Sequence, residues 1–142
     1  MSKAVLIKKL GEYLLGWFNE RAMENNLEML SSVLTGQTAT LGTAPITPTL
    51  FLALPSRTVE DKAFTTYHCQ IGIVFPSPTP EQGEVIGDLW EDILEELIRS
   101  NCNLGGLGHI DSSESIESAY SPAMGFVTVE LDVEVDRYAE EA

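Results

Sequence analysis

Between Phe126 and Asp136 the chain reads Phe-Val-Thr-Val-Glu-Leu-Asp-Val-Glu-Val-Asp. Val127, Val129, Leu131, Val133 and Val135 alternate with Thr128, Glu130, Asp132, Glu134 and Asp136. Successive side chains of a strand point to opposite faces, so this pattern specifies a strand with one apolar and one acidic face, and no helix can use it. A slip of one residue would drive four carboxylates into the core, which fixes the register strongly. The rest of the chain must supply an apolar layer over the valine face. At about 3.3 Å per residue the stretch spans roughly 36 Å, long for a strand, and this predicts a central strand or half of a projecting ribbon.

A chain of 142 residues is long enough to bury about two-thirds of its unfolded surface around one core, so residues 1–142 are expected to form a single domain. Eight Lys and Arg against 22 Asp and Glu leave a net charge of −14, which argues against a role built on phosphate contacts. Cys69 and Cys102 are the only cysteines, too few for a disulfide framework. The first residues do not read as a secretory leader, and no apolar run approaches the roughly 20 residues that cross a bilayer. These features predict a soluble protein in a reducing cytosol, with no membrane contact.

Leu6, Leu10, Tyr13, Leu14, Trp17 and Phe18 recur in steps of three and four, continuing less regularly through Met23, Leu27 and Leu30. They predict an amphipathic helix from Ser2 to about Leu34, or two helices broken near Asn25-Asn26. Gly16, beside Trp17, suggests a close helix approach. Ser31 to Thr49 has no sustained period and reads as a long flexible loop; loops of that length in compact domains often bind or assemble. Thr35, Gly36, Gln37, Thr38, Thr40 and Thr43 are its candidate assembly residues. Leu50–Leu54 is a short strand closed by Pro55-Ser56, Arg57–Lys62 a charged turn, and Phe64–Phe75 a second strand ending at Pro76. Thr79-Pro80-Glu81-Gln82 combines a cap, a proline at the first helical position and a capping-box residue, so a helix begins at Pro80 and runs to about Ser100. Its apolar stripe is Ile86, Leu89, Trp90, Ile93, Leu94, Leu97 and Ile98. Gly105-Gly106-Leu107-Gly108 is a helix stop and hinge, His109–Asp111 a short extended piece, Ser115–Ser121 a strand, Pro122–Gly125 a turn, and Phe126–Tyr138 the closing strand. The order predicts an α+β fold, one antiparallel sheet of about four strands with helices on one face.

Little here suggests catalysis. His68 and Cys69 are adjacent on a strand and point to opposite faces, so they cannot share a metal, and Cys102 with His109 lacks two further ligands. Neither cysteine lies in an electropositive setting that would activate a thiol. The glycine run lacks the Lys-Ser/Thr ending of a phosphate loop. Asp88, Asp92, Glu95 and Glu96 have the spacing of an acid–base pair but also that of any solvated helix face. Trp17, Trp90, Met23 and Met29 read as core residues. Glu130, Asp132, Glu134 and Asp136 have two readings. They are either charges that keep an exposed sheet face from aggregating, or, repeated around an axis, a ring of negative charge lining a passage.

A leading helix, a small-residue loop, the pair Leu50–Leu54 and Tyr67–Phe75, a proline-initiated helix Pro80–Ser100 and a final pair closing with Phe126–Asp136 resemble the tail terminator (tail completion) proteins of long-tailed bacteriophages. The resemblance is one of size and layout, with no motif that maps residue by residue. It implies a non-enzymatic virion protein made in the host bacterial cytoplasm, with no cofactor. Its copies would form a hexameric ring on the last ring of tail tube protein, stop polymerisation and meet the head-side connector or adaptor. Double-stranded DNA would pass through without specific binding, along an acidic passage lined by Glu130, Asp132, Glu134 and Asp136. Alternatives are another neck or tube component, a small acidic cytosolic adaptor domain, or a small enzyme using the carboxylates of the second helix.

Overall fold

A computed structural model describes residues 2–35, 47–59, 64–121 and 123–136. Two helices lie against a six-stranded open sheet. Helix α1 spans Lys3–Glu24. Strand β1 is Ser32–Thr35, β2 Thr49–Val59 and β3 Phe64–Pro76. Helix α2 is Pro80–Ser100, followed by β4 His109–Ser113, β5 Glu117–Ser121 and β6 Met124–Asp136. The sheet order is β1-β2-β3-β6-β4, and β5 also pairs with β6. Strand β6 is therefore internal. On one side β3 pairs with all thirteen of its residues, from Pro76 opposite Met124 to Phe64 opposite Asp136. On the other side β5 covers its first half and β4 its second.

The sheet has six strands where the sequence suggested about four, and it is not wholly antiparallel. The additional strands are β1, inside the stretch read as a loop, and β4, which extends the piece predicted at His109–Asp111. Strand β1 runs parallel to β2, Ser32 opposite Thr49 and Thr35 opposite Leu52. Strand β2 does not stop at Pro55. A bulge between Ala53 and Ser56 takes up the proline, which cannot donate to a ladder, and pairing resumes to Val59 opposite Thr65. Arg57, expected in a turn, lies in that strand.

Helix α1 begins where the Ser2 hydroxyl accepts from Val5 N–H at 3.2 Å and ends at Asn25. There Asn26, at φ 55°, takes the left-handed conformation common just past a helix end. Residues 27–30, expected to continue the helix, instead turn back along it. Asn19 clamps them, its amide donating to Leu30 C=O at 3.1 Å and its carbonyl accepting from Leu30 N–H at 2.7 Å. Helix α2 starts as the sequence specifies, Thr79 Oγ1 accepting from Gln82 N–H at 3.2 Å. A 3₁₀ turn at Leu104–Gly106 follows it, and at Gly105 (φ 66°) a side chain would strike the Tyr13 ring.

The core lies between the helices and one face of the sheet. Leu6, Leu10, Leu14 and Phe18 of α1 and Trp90, Ile93, Leu94 and Leu97 of α2 meet Leu50, Leu52, Leu54, the Tyr67–Phe75 alternation and the five apolar residues of β6. Fully burying each aliphatic side chain stabilises by about 1.5–3 kcal/mol, so β6 is a principal source of the fold's stability. Phe18 and Trp90 join the helices edge to face, with ring centroids 6.1 Å apart. Arg21, lying over Trp17, bonds Glu96 at 2.8 Å. The close approach expected at Gly16 occurs at Gly11 instead, where an added Cβ would meet Val33 and Leu52. Met23 and Met29, read as core, are 67% and 50% exposed. Met23 falls off the stripe that buries Leu14, Phe18 and Ala22, and Met29 lies beyond the helix.

Candidate interaction face

The second face of the sheet carries neither helix. Its residues follow from the strand registers. One row runs Thr49, Val74, Phe126, Ala119, and the next Phe51, Gly72, Thr128, Glu117. Ala53, Gln70 and Glu130 come next, then Ser56, His68, Asp132 and Ser112, and finally Thr58, Thr66, Glu134 and His109. The face is thus apolar at the Phe126 end and acidic at the Asp136 end. Phe51, Val74 and Phe126 floor a groove of about 970 Å³, walled by Glu114, Glu117 and Glu130.

Glu130, Asp132 and Glu134 are half-buried on this face and Asp136 is exposed at its end. The alternation therefore places the acidic residues as the sequence indicated, away from the helices. They do not form a bare row of charge. His68 lies between two of them, its Nε2 3.0 Å from Glu130 Oε1 and its Nδ1 3.2 Å from Asp132 Oδ1. Gln70 donates to Glu130 at 3.0 Å and the Ser112 hydroxyl to Asp132 Oδ2 at 3.1 Å. Both ring nitrogens of histidine can donate only in the imidazolium form, so this geometry favours the charged ring. The bonds to Glu130, then Asp132, raise the His68 pKa. His68 first, then Gln70 and Glu114, pull the Glu130 carboxyl down to about 2. Glu114, hydrogen-bonded to Glu130, is raised, because neighbouring carboxyls resist ionising together.

The sequence marks His68 only as a residue that cannot share a metal with Cys69. Its clamp depends on the β3–β6 register, which pairs His68 with Asp132 and Gln70 with Glu130. The one local clue is that His68 lies on the polar alternation of β3, facing as the acidic alternation of β6 does. Cys69 points to the core, and burial pushes its thiol up to about 12, which removes it as a nucleophile. Cys102 is half-buried and His109 exposed. Among the described residues no three His, Cys, Asp or Glu side chains gather to hold a metal ion. Asp88, Asp92 and Glu96 lie on the exposed side of α2 with Glu95 half-buried, and Trp90 is a core anchor while Trp17 is only partly buried. Thr35 ends β1, half-buried. Gly36, Gln37, Thr38, Thr40 and Thr43 lie outside the described residues, as does most of the predicted loop. Among the described residues no helix is long and apolar enough to cross a membrane.

No known family model matches the chain, and no curated protein matches it.

Proposed function

We propose that the protein is a tail terminator of a long-tailed bacteriophage, a structural virion component whose copies close into a ring of six on the end of the tail tube. There it stops tube polymerisation and presents a face to the head-side connector or adaptor. The observation that carries this reading is the two-sidedness of the sheet. One face is completed by α1 and α2, and the other presents the acidic end of β6 without a covering layer. Two helices against a sheet whose long strands are antiparallel also suit the layout that the resemblance implies. Six copies at −14 each carry −84 formal charges around the passage and over the exterior of the ring, so that DNA is repelled from the wall and slides. The role is architectural, with no cofactor and no chemical step.

The test is solution mass by light scattering and electron microscopy of the same material, alone and with purified tail tubes. A closed ring, or a cap on each tube end that prevents further growth, is expected. Open-ended tubes grown from this protein alone would make it a tube protein instead, and tubes that elongate unchanged in its presence would overturn the reading. Within capped tails, Asp132→Lys with Glu134→Lys is expected to retain DNA in the passage. Free passage would show that the acidic end of β6 does not line it.

A further inference from the structure

The groove at the Phe126 end of the uncovered face has a composition that constrains what can fill it. Its floor is Phe51, Val74 and Phe126, of which the half-buried Phe126 is the one open to contact, Val74 and Phe51 being 2% and 8% exposed beneath it. Its walls contribute Glu114, Glu117 and Glu130, and no Lys or Arg lines it among the described residues. An occupant therefore needs an apolar projection flanked by positive charge. The chain has few basic residues, and three of its eight Lys and Arg, namely Lys3, Lys8 and Lys9, fall in the first nine positions. There Val5 is 44% exposed. Val5, Lys8 and Lys9 stand at i, i+3 and i+4, and so share the side of α1 that faces away from Leu6, Leu10 and Leu14. Helix α2 also exposes a valine, Val85, 62% exposed, but among Glu81, Glu84 and Asp88. Its charge matches that of the groove, so this pairing is repulsive.

We infer that the groove of one copy receives the first two turns of α1 of the next copy, with Val5 over the Phe51–Val74–Phe126 floor and Lys8 and Lys9 against the wall carboxylates. The inference rests on the ring reading and names the surfaces that meet. Helix α1 covers one face of the sheet and the groove opens on the other, so donor and acceptor are different surfaces of the same molecule. Such a head-to-tail contact propagates from copy to copy and closes when its rotation divides a full turn. Each α1 is then sandwiched between its own sheet and its neighbour's. Glu130 belongs to this contact, which leaves Asp132, Glu134 and Asp136 for the passage.

Within one copy Val5 and Thr128 lie on opposite sides of the sheet, so a disulfide between them can form only between copies. In a Cys102→Ser background, one preparation carries Val5→Cys and another Thr128→Cys. Mixed and mildly oxidised, alone and on tail tubes, they are expected to give a cross-linked dimer that neither gives by itself. Lys8→Glu in the first preparation is expected to abolish most of it, and Glu114→Lys with Glu117→Lys in the second to restore it. The parallel pair Val85→Cys and Thr128→Cys is expected to assemble in the same way without cross-linking. A closed ring or tube cap without the cross-link overturns the inference and leaves the ring reading standing. A cross-link in material that forms only open chains keeps the contact and removes the ring. No association under any of these conditions removes both.

Discussion

The two faces of β6 share one backbone and one register but are stabilised by different physics. Val127, Val129, Leu131, Val133 and Val135 are each at most 5% exposed and belong to the core that α2 covers on this strand. The side chains between them meet charge and solvent, the Glu130 and Asp132 side chains being 42% and 44% exposed. The first face holds the fold together through area removed from water. The second contributes little stability and remains available for contact with other molecules, since ion pairs this exposed are worth only about 0–1 kcal/mol. The contrast weakens at the Phe126 end, where Val74 and Phe51 are buried without a covering helix.

Leu131→Ala tests the contrast most severely, with an expected loss of about 2–5 kcal/mol in the urea unfolding free energy. A loss below 1 kcal/mol would mean that the inner face is not the principal core. Gly125→Ala comes next. The added Cβ would meet the ring of Phe75, itself 1% exposed, and overpacking of this kind costs about 1–3 kcal/mol. Val74→Ala probes the exception on the outer face, and about 1.5 kcal/mol is expected for two buried methyl groups. No measurable cost would place that end with the acidic end.

The smallest effect concerns pH. His68 is raised above its ordinary 6.5, so its stabilising contribution is complete below that value and is lost as pH rises through the folded-state pKa. Glu130 is lowered from 4.5 to about 2, so its contribution is complete above 4.5 and is lost as pH falls toward 2. The clamp therefore stabilises most between pH 4.5 and 6.5. The urea midpoint of wild type should fall above this window, and His68→Gln should remove that alkaline fall. An identical alkaline fall in His68→Gln would assign it to other groups.

Features governed by neighbours in sequence were legible there. Thr79 and Pro80 start α2 because cap and proline act within one turn, and β6 was readable because its alternation is its own record. Features that depend on distant pairing were not. Strand β1 has four residues, alternately exposed and half-buried, and becomes a strand only by lying parallel to β2. Pro55 looked like a strand end because a bulge is invisible without the partner strand. The glycine that admits close packing is Gly11, not Gly16, since only the packed structure shows which side of α1 meets Val33 and Leu52. The acidic face was readable in sequence, but the histidine that partly neutralises it was not, since His68 and Asp132 are 64 positions apart.

The side of β6 away from β3 is served by two short strands, β5 opposite Met124–Thr128 and β4 opposite Leu131–Glu134, with residues 114–116 crossing between them. This margin cannot act as a continuous template. A foreign strand aligning there finds at most five residues in register before the ladder breaks, and among the described residues the opposite margin offers the four of β1 and then the far end of β2, which the Pro55 bulge interrupts. Runaway growth of the sheet into fibrils is opposed at both margins, by short strands on one side and by a short strand and the Pro55 bulge on the other, at the high local concentrations that any repeated assembly of this chain requires.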